Sequence, residues 1–319
     1  MHKLAAGVLG ASGYAGRELC NLIAAHPRLE LRFATANEQK GTTAQFGGRA
    51  VKFQGSDEVN LGSADIVFSA LPHGASEKWV KAAVAKGAKA VDLSSDLRPG
   101  NTPEPAVYGL TEFKREAIAS AAVVANPGCY PTAILFALAP LARAGVISAD
   151  AAINVSAASG VTGAGFSPKL DLLFGEVTEN FKAYSVGNQH RHLPEMRSTL
   201  AEWGFSGDII FTPHLLPVAR GILATITVEL DAELEDVAGL YRNAYAGERF
   251  IQFVDTPPNL RDVAFRNSVK IHAVRTANVS RPTLTLFSAI DNLVKGAAGQ
   301  ALQNGNLMLG LPEEMGLVS

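Results

Sequence analysis

The chain has 319 residues, enough for two domains of roughly 150 residues each, and is 47% hydrophobic and 18% charged. This composition excludes a disordered chain, and a net charge of −2 argues against a general nucleic-acid or anionic-membrane binder. With only two cysteines, Cys20 and Cys129, a disulfide framework and a cysteine-rich metal site are excluded as well.

The first part of the chain alternates short apolar runs with helical patterns. Short buried strands separated by helices are typical of a parallel sheet that is covered by helices on both faces. In chain order, the pattern predicts strands at 4–9, 29–35, 65–71, 88–93 and 122–125 and helices at 15–25, 77–86 and 112–120.

The pattern changes after Cys129. It predicts strands at 152–158, 209–213, 222–230, 269–274 and 283–290, helices at 132–144 and 234–246, and a glycine-rich loop at 159–165. Along 222–230, apolar positions alternate with positions that are more often polar, which favours a mostly antiparallel sheet with one more exposed face. A last helix near 295–309 has no place in such a sheet, so we expect it to return to the first domain. The predicted domains are 1–128 plus 291–319, and an α+β domain at 129–290.

Three glycines, Gly10, Gly13 and Gly16, lie at three-residue spacing between the first strand and the first helix. Such a turn lets backbone N–H groups approach a pyrophosphate at a helix N-terminus, where the helix dipole favours negative charge. Ser12 and Tyr14 belong to the same turn and are expected to contact the cofactor. The turn therefore predicts a Rossmann-type dinucleotide-binding domain, and the alternative is a tight strand–helix turn that binds no ligand.

The end of the second strand bears on the choice of cofactor. Domains that bind NAD usually place an acidic residue there to hold the ribose hydroxyls, whereas this chain has small polar residues followed by a lysine. Thr35, Asn37 and Lys40 therefore favour NADP(H), with its 2′-phosphate. Glu38 leaves an alternative open, because its carboxylate could serve the ribose of NAD.

Cys129 lies in the stretch 126–132, Asn-Pro-Gly-Cys-Tyr-Pro-Thr, between an apolar strand and a predicted helix. A cysteine at a helix N-terminus has its thiolate stabilised by the helix dipole and by free N–H groups, which activates it as a nucleophile. We therefore predict that Cys129 is a catalytic nucleophile. Cys20, on the apolar side of a predicted helix, is interpreted as a small buried hydrophobic residue.

A nucleophilic thiol needs a base or a cationic partner. The stretch 190–195 brings His190, Arg191, His192 and Glu195 into six positions. On an extended segment the two histidines point to opposite sides, so only one of them should face the thiol. A zinc site is not predicted, because a third and fourth ligand with suitable spacing are missing from the sequence.

Several residues follow the carboxyl ends of predicted parallel strands, where open α/β sheets bind ligands. Arg98 follows one such strand and is a candidate for holding phosphate or carboxylate. Leu71 and Pro72 follow another strand and are expected to line the cofactor site. In the glycine-rich loop, the backbone N–H groups of Ser159 and Gly160 are further candidates for binding substrate.

Together these motifs resemble the N-acetyl-gamma-glutamyl-phosphate reductase family, within the wider aspartate-semialdehyde dehydrogenase superfamily, over essentially the whole chain. The cysteine turn and the His-Arg-His stretch are the most specific of them. The matching motifs lie at residues 10–16, 71–74, 92–98, 108–112, 126–132, 159–165, 190–195, 211–215 and 291–301.

The resemblance implies a two-domain enzyme, a homodimer or homotetramer, whose second domain carries catalysis and dimerisation. It implies NADPH-dependent reduction of an acyl phosphate to a semialdehyde in arginine biosynthesis. By matching position, Cys129 is the nucleophile and His190 is the acid/base group. The neighbouring Arg191, His192 and Glu195 are expected to contact the substrate.

In the mechanism that these residues support, the Cys129 thiolate attacks the acyl phosphate and phosphate leaves, which gives a thioester. Reduction then forms a thiohemiacetal, whose collapse releases the aldehyde. The nicotinamide is expected to lie over Cys129, near Gly296. One departure from the family concerns the cofactor: a Ser-Arg pair often follows the second strand, where this chain has Thr35 and Ala36, so the resemblance favours NADP less strongly at this point.

Three alternatives stay open: a related reductase of carrier-protein-linked aminoadipyl phosphate in lysine biosynthesis, a cysteine hydrolase, and a non-catalytic NADP-binding sensor. We expect a small-molecule substrate and no nucleic-acid or membrane partner. The first residues lack a signal-peptide layout, and prolines interrupt the uncharged stretch 117–142, so we expect a cytoplasmic protein.

Overall fold

The structure is a computed structural model, which describes residues 3–319. The chain folds into two compact units. The first contains the described residues up to Gly128 together with Gly165–Ser167 and Ala297–Val318, and the second contains Cys129–Ala164, Pro168–Gly296 and Ser319. Residues 291–296, which the sequence analysis assigns to the first domain, thus group with the second unit.

The first unit is built on a parallel sheet, which confirms the fold class predicted for this part of the chain. Its elements up to Gly128 are β1 (Leu4–Leu9), α1 (Tyr14–Ala25), β2 (Leu29–Ala34), β3 (Thr43–Phe46), β4 (Arg49–Lys52), β5 (Ile66–Ser69), α2 (Glu77–Ala85), β6 (Lys89–Asp92), β7 (Val107–Tyr108), α3 (Thr111–Ser120) and β8 (Val123–Ala125). Six strands pair in the order β2-β1-β5-β6-β8-β7, and every neighbouring pair is parallel. The antiparallel hairpin of β3 and β4 is not predicted from the sequence, because its short strands are mostly exposed and lack an apolar run.

The helix α1 illustrates how the pattern of residues positions the layers. Its buried residues, Gly16, Leu19, Cys20 and Ile23, recur at spacings of three, one and three. That spacing places them on one face of the helix, which packs against β1 and β2. The prediction that Cys20 is a buried hydrophobic residue is confirmed, since its side chain is fully buried.

The second unit is built on a seven-stranded mixed sheet. Its elements are α4 (Cys129–Ala144), β9 (Ile153–Gly160), α5 (Phe174–Val177), β10 (Lys182–Ala183), α6 (Leu193–Glu202), β11 (Ile209–Leu216), β12 (Ile222–Glu229), α7 (Val237–Ala244), β13 (Ile251–Phe253), β14 (Val269–Arg275) and β15 (Thr283–Ile290). The strands pair in the order β10-β11-β9-β12-β15-β14-β13. The β9–β11 and β13–β14 pairs are parallel and the other neighbours antiparallel, so the predicted, mostly antiparallel sheet is confirmed.

The uncharged stretch of the sequence ends in α4, which is buried from Tyr130 to Ala142 and contacts β12 and β15. A helix that is apolar on all sides is typical of the interior of a large domain. Among residues 3–319, no helix combines the length and the hydropathy that a membrane crossing requires.

The chain leaves the second unit through a tightly held turn after β15. The Asp291 carboxylate accepts a hydrogen bond from the N–H of Phe265 and pairs with Arg220, which explains why residues 291–296 stay with this unit. A π-helical turn, Val294–Ala298, follows, and then α8 (Gly299–Met308), which packs against α1, α3 and β6 in the first unit.

The strand order of the first unit defines where a ligand would bind. From β1 the chain places β2 on one side and β5 on the other, so the order reverses between β1 and β5. In open α/β sheets, ligands bind at such a switch point, beyond the carboxyl ends of the strands. The turn that follows β1 carries the three glycines of the sequence motif.

Candidate active site

The glycine turn after β1 fits a dinucleotide. Gly10 has φ +79°, and a Cβ on it would lie 2.5 Å from the carbonyl oxygen of Ala70, while a Cβ on Gly16 would collide with the carbonyl oxygen of Gly10. These two glycines therefore serve the packing of the protein itself. At Gly13 the nearest atom would be 3.7 Å away, so this position borders open space at the start of α1. A pyrophosphate can approach the backbone there.

The predicted cofactor residues beside this turn are at least partly accessible. Tyr14 is the first residue of α1 and is 37% exposed, and Ser12 is half-buried. Leu71 and Pro72 follow β5, with Leu71 half-buried and Pro72 exposed. The Leu71 nitrogen would lie 3.0 Å from a Cβ on Gly10, so the two predicted loops meet at one edge of the sheet.

The end of β2 differs from the prediction made for it. Thr35 is fully buried, and its hydroxyl is bonded to the Ser56 hydroxyl at 3.0 Å and accepts the Gly10 N–H at 3.4 Å. Its side chain therefore ties the glycine turn to β2 and is not available to a ligand. Asn37 is exposed, and its side-chain oxygen accepts the backbone N–H of Ser56 at 2.9 Å.

Lys40 is exposed but forms an ion pair with Glu58. A hydrogen bond from Lys40 to Glu58 raises the pKa of the lysine and lowers that of the carboxyl group. In this structure Glu58, from a separate loop, compensates the charge of Lys40, and the predicted contact of Lys40 with the 2′-phosphate remains a prediction.

Arg98 is buried and holds the backbone at the carboxyl ends of two strands. Its Nε donates to the carbonyl oxygen of Asn126 at 2.8 Å, and its Nη2 donates to that of Leu93 at 2.8 Å. At least two of its donors are thus used to brace the loops after β6 and β8. Its predicted contact with substrate remains a prediction.

Cys129 is the first residue of α4, which begins three residues earlier than predicted. Pro131 occupies the first turn, where a missing N–H is tolerated, and the thiol is partly buried. The backbone of Gly296 lies against it: a Cβ on Gly296 would be 2.8 Å from the Cβ of Cys129. A half-buried thiol at a helix N-terminus is the environment that favours the thiolate.

Two tyrosine hydroxyls form a chain beside this thiol. The Tyr184 hydroxyl donates to that of Tyr130 at 3.1 Å, and Tyr130 donates to the carbonyl oxygen of His214 at 3.2 Å. Burial raises the pKa of Tyr184 to about 12, and the negative charge of Cys129 contributes to the rise. Burial also raises the pKa of Tyr130, with further contributions from Tyr184 and from Cys129. Both phenols therefore stay protonated at physiological pH.

Tyr184 is not among the residues that the sequence predicts for the site. It follows the two-residue strand β10, which has no apolar pattern by which it could be recognised. Its ring packs edge-on against His190 with the centroids 5.7 Å apart. Tyr184 thus contacts both His190 and Tyr130, which follows Cys129 in the sequence.

His190 lies in an aromatic cluster, with its ring 5.4 Å from that of Tyr130 and 5.3 Å from that of Phe211. Its Nδ1 accepts the backbone N–H of His192 at 3.2 Å. Burial lowers the pKa of His190 to about 4, with a further contribution from the positive charge of Arg191. The imidazole is therefore neutral at physiological pH.

The two histidines do not point to opposite sides. Their rings lie 4.7 Å apart, and the His192 ring is 6.2 Å from that of Tyr130. The prediction assumed an extended segment, but the chain turns at 190–192 into α6, which the sequence analysis did not predict. Arg191 is the exposed residue of the three, and Glu195 is fully buried in the first turn of α6.

The glycine-rich loop leaves β9 next to these groups in the second unit. Ser159 is buried and donates to the carbonyl oxygen of Gly160, and Val161–Ala164 form a 3-10 turn. The loop is pinned by Thr162, whose hydroxyl donates to Ala219 and accepts from Asn292. The backbone N–H of Gly160 donates to the carbonyl oxygen of Gly221 at 2.9 Å, so this group is used within the protein, and the predicted contacts of Ser159 and Gly160 with substrate remain predictions.

Two family models match the chain. The one described as "Semialdehyde dehydrogenase, NAD binding domain" matches residues 5–121, and "Semialdehyde dehydrogenase, dimerisation domain" matches residues 129–292. Two curated relatives, both named N-acetyl-gamma-glutamyl-phosphate reductase, come from Heliobacterium modesticaldum and Nitrosomonas eutropha and are 42% and 39% identical. Each alignment covers 98% of this chain and 97% of the relative.

The fold is shared with solved structures as well. Aspartate semialdehyde dehydrogenase with NADP from Candida albicans has a TM-score of 0.75 at 16% identity, over 96% of this chain and 98% of that chain. The glycine turn, the cysteine at the start of α4 and the histidine stretch all lie within the matched length. The chain therefore belongs to the semialdehyde dehydrogenase family, among the N-acetyl-gamma-glutamyl-phosphate reductases.

Proposed function

We propose that the protein reduces N-acetyl-gamma-glutamyl phosphate to N-acetylglutamate semialdehyde and phosphate with NADPH, in arginine biosynthesis. The observation that carries the proposal is the position of Cys129, a partly buried thiol at the N-terminus of α4 with the backbone of Gly296 against it. The open backbone at Gly13 supports a dinucleotide as the second reactant. The substrate is that named for the relatives, which match over nearly the whole chain.

The first step is acylation of the thiol. The Cys129 thiolate attacks the carbonyl carbon of the acyl phosphate, the C–S bond forms, and the C–O bond to phosphate breaks. Inorganic phosphate takes the electron pair of that bond, so no proton donor is needed for its departure. The helix N-terminus of α4 stabilises the thiolate before attack.

The second step is reduction of the thioester. When bound, reduced nicotinamide supplies the hydride that is added to the thioester carbonyl carbon. The resulting oxyanion collapses to the aldehyde and returns the electron pair to the sulfur of Cys129. The neutral imidazole of His190 carries its proton on Nε2, because Nδ1 accepts a backbone N–H, so it serves as a hydrogen-bond donor to negative charge. We thus assign His190 the acid half of the predicted acid/base role.

The experiment that tests the function is a reverse assay with semialdehyde, phosphate and NADP⁺, followed by NADPH absorbance. N-acetylglutamate semialdehyde is expected to support turnover, and the carrier-linked aminoadipate semialdehyde is not. Intact-mass measurement after acyl phosphate is added without cofactor should show an acyl adduct on Cys129. Turnover with the carrier-linked substrate alone would assign the protein to the lysine-type reaction, and an adduct on another residue would overturn the mechanism.

The state of assembly is part of the proposal. The match to a dimerisation domain over residues 129–292 supports a protein that oligomerises. We propose a homodimer or homotetramer of a cytoplasmic enzyme, which light scattering on the purified chain and fractionation of cells that produce it would test. A monomer at micromolar concentration would contradict the proposed oligomeric state.

A further inference from the structure

The region beyond the carboxyl end of β2 is where a Rossmann-type domain holds the adenosine ribose. Recognition of a 2′-phosphate there usually needs an arginine, because its fork can form two hydrogen bonds to phosphate oxygens. Thr35 is neutral and buried, and the charge of Lys40 is compensated by Glu58, so the end of β2 offers no uncompensated cation among these two residues. The sequence from 35 to 40 contains no arginine.

An arginine reaches this region from another element. Arg17 lies in the first turn of α1, directly after Gly16, and its Nη2 donates to the side-chain oxygen of Gln39 at 3.4 Å. Gln39 belongs to the loop that follows β2, so the guanidinium spans from the glycine turn to the ribose end of the site. Arg17 is half-buried, which leaves part of it open to a ligand.

The side chain of Arg17 is held in place on two further sides. Its Nε donates to the carbonyl oxygen of Ser12 at 2.9 Å. The guanidinium carbon lies 5.5 Å from the ring centroid of Phe166, a distance at which a cation is attracted to an aromatic face. Phe166 in turn packs edge-on against Tyr14, with centroids 5.3 Å apart. These partners are neutral groups, so the positive charge of Arg17 is held but not compensated by them.

We infer that Arg17 is the residue that recognises the 2′-phosphate of NADPH and so sets the preference over NADH. The inference rests on the proposed function, since it specifies the cofactor of the same site. Phe166 acts as a positioning residue, because its ring lies against the guanidinium of Arg17 and has no hydrogen-bond donor for a phosphate. The 2′-phosphate is therefore bound by a residue of α1 and not by the end of β2.

The test measures equilibrium binding of NADPH and NADH to the full-length protein, by cofactor fluorescence and calorimetry. Arg17→Gln is expected to raise the Kd of NADPH about tenfold to a hundredfold and to leave that of NADH within about twofold. Arg17→Lys keeps the positive charge but lacks the two-pronged guanidinium, so its Kd for NADPH should lie between those of the native protein and Arg17→Gln. Phe166→Leu should raise the Kd of NADPH but not that of NADH, and by a smaller factor than Arg17→Gln does. Arg32→Gln, which removes an exposed arginine within β2, is the matched control and should change neither constant.

A second probe isolates the phosphate. Adenosine 2′,5′-bisphosphate should compete with NADPH more strongly than 5′-AMP on the native protein, and this difference should vanish in Arg17→Gln. An equal loss of NADPH and NADH affinity in Arg17→Gln, or an unchanged preference, would overturn the inference while the function stands. A native protein that binds neither nucleotide would overturn the proposed function itself.

Discussion

The backbone N–H of His192 donates to Nδ1 of His190, which fixes the tautomer of the imidazole that we propose as the acid. A protonated ring would need a hydrogen on Nδ1 and would lose this interaction. Burial acts in the same direction, and the pKa of His190 falls to about 4. The histidine is thus a neutral donor at pH values well above 4.

Stability should depend on pH through His190. Its pKa in the folded state, about 4, lies below the ordinary 6.5, so the unfolded chain binds a proton more readily. The stabilisation is fully present above about pH 6.5 and is lost as the pH falls toward 4. His190→Gln should therefore flatten the decline of the unfolding free energy, measured in urea between pH 7.5 and 4.5. The pKa of His26 is also lowered by burial, so part of the decline should remain in this variant.

Activity should separate the two histidines. His190→Gln is expected to lower kcat by roughly 10²–10⁴, because the Nε2–H that stabilises negative charge is lost. His192→Asn should cost less, since its contribution to the tautomer comes from the backbone N–H, which the variant keeps. Steady-state kinetics of both variants test this, and a larger loss in His192→Asn would move the catalytic role to that residue.

Cys129→Ser should abolish turnover while leaving NADPH binding intact, because a serine hydroxyl is hardly ionised near neutral pH. Retention of more than about a tenth of the wild-type kcat would contradict a thioester intermediate. Cys20 provides the internal control, since burial raises its pKa to about 12. Iodoacetamide should label Cys129 and spare Cys20 in the native protein, and Cys20→Ser should cost only the ~1 kcal/mol of an ordinary core substitution.

Two alanine substitutions should separate the roles of the glycines. Gly16→Ala places a Cβ against the carbonyl oxygen of Gly10, so it should lower the melting temperature. At Gly13 the φ is −72° and the space is open, so Gly13→Ala should fold normally and weaken nucleotide binding. Thermal unfolding with and without NADPH would show the difference, and the assignment fails if both variants behave alike.

Lys40→Ala should change the ratio of kcat/KM for NADPH and NADH by less than about threefold, because Lys40 and Glu58 together carry no net charge toward a 2′-phosphate. The lysine is compensated by Glu58, so its removal takes little net charge away from the ribose region. A tenfold loss of preference would show that the pair opens when the cofactor binds.

The parts of the site that lie within one local pattern could be predicted from the sequence. The glycine turn and the cysteine at the start of α4 each depend on a few neighbouring residues, whose spacing already carries the chemistry. The roles of Thr35 and Lys40 could not be predicted, because they depend on Ser56 and Glu58 in a distant loop. Both residues have ordinary polar side chains whose partners are decided by the fold.

The prediction that His190 and His192 point to opposite sides is wrong for a different reason. Its two rings were assigned to opposite sides on the assumption of an extended backbone, yet the chain turns there into α6. The first turn of that helix carries Pro194 and Glu195, a combination that is typical of helix starts. This signal could have predicted α6, but the prediction made for this stretch rests only on its charged and ring-bearing side chains. Arg17 was missed because it follows the glycine motif and reaches the site only through Gln39.

The first unit draws on both ends of the chain, which has a consequence for how it is made. The Asn304 amide in α8 donates to the carbonyl oxygen of Gly109 and to the side-chain oxygen of Asn126, and Asn126 donates to Ala297. During translation, Gly109 and Asn126 therefore form these hydrogen bonds only after the whole second unit has been synthesised. A fragment that stops at Gly128 would expose buried polar groups that only residues 297–318 can satisfy. A nucleotide-binding unit expressed on its own must carry both segments.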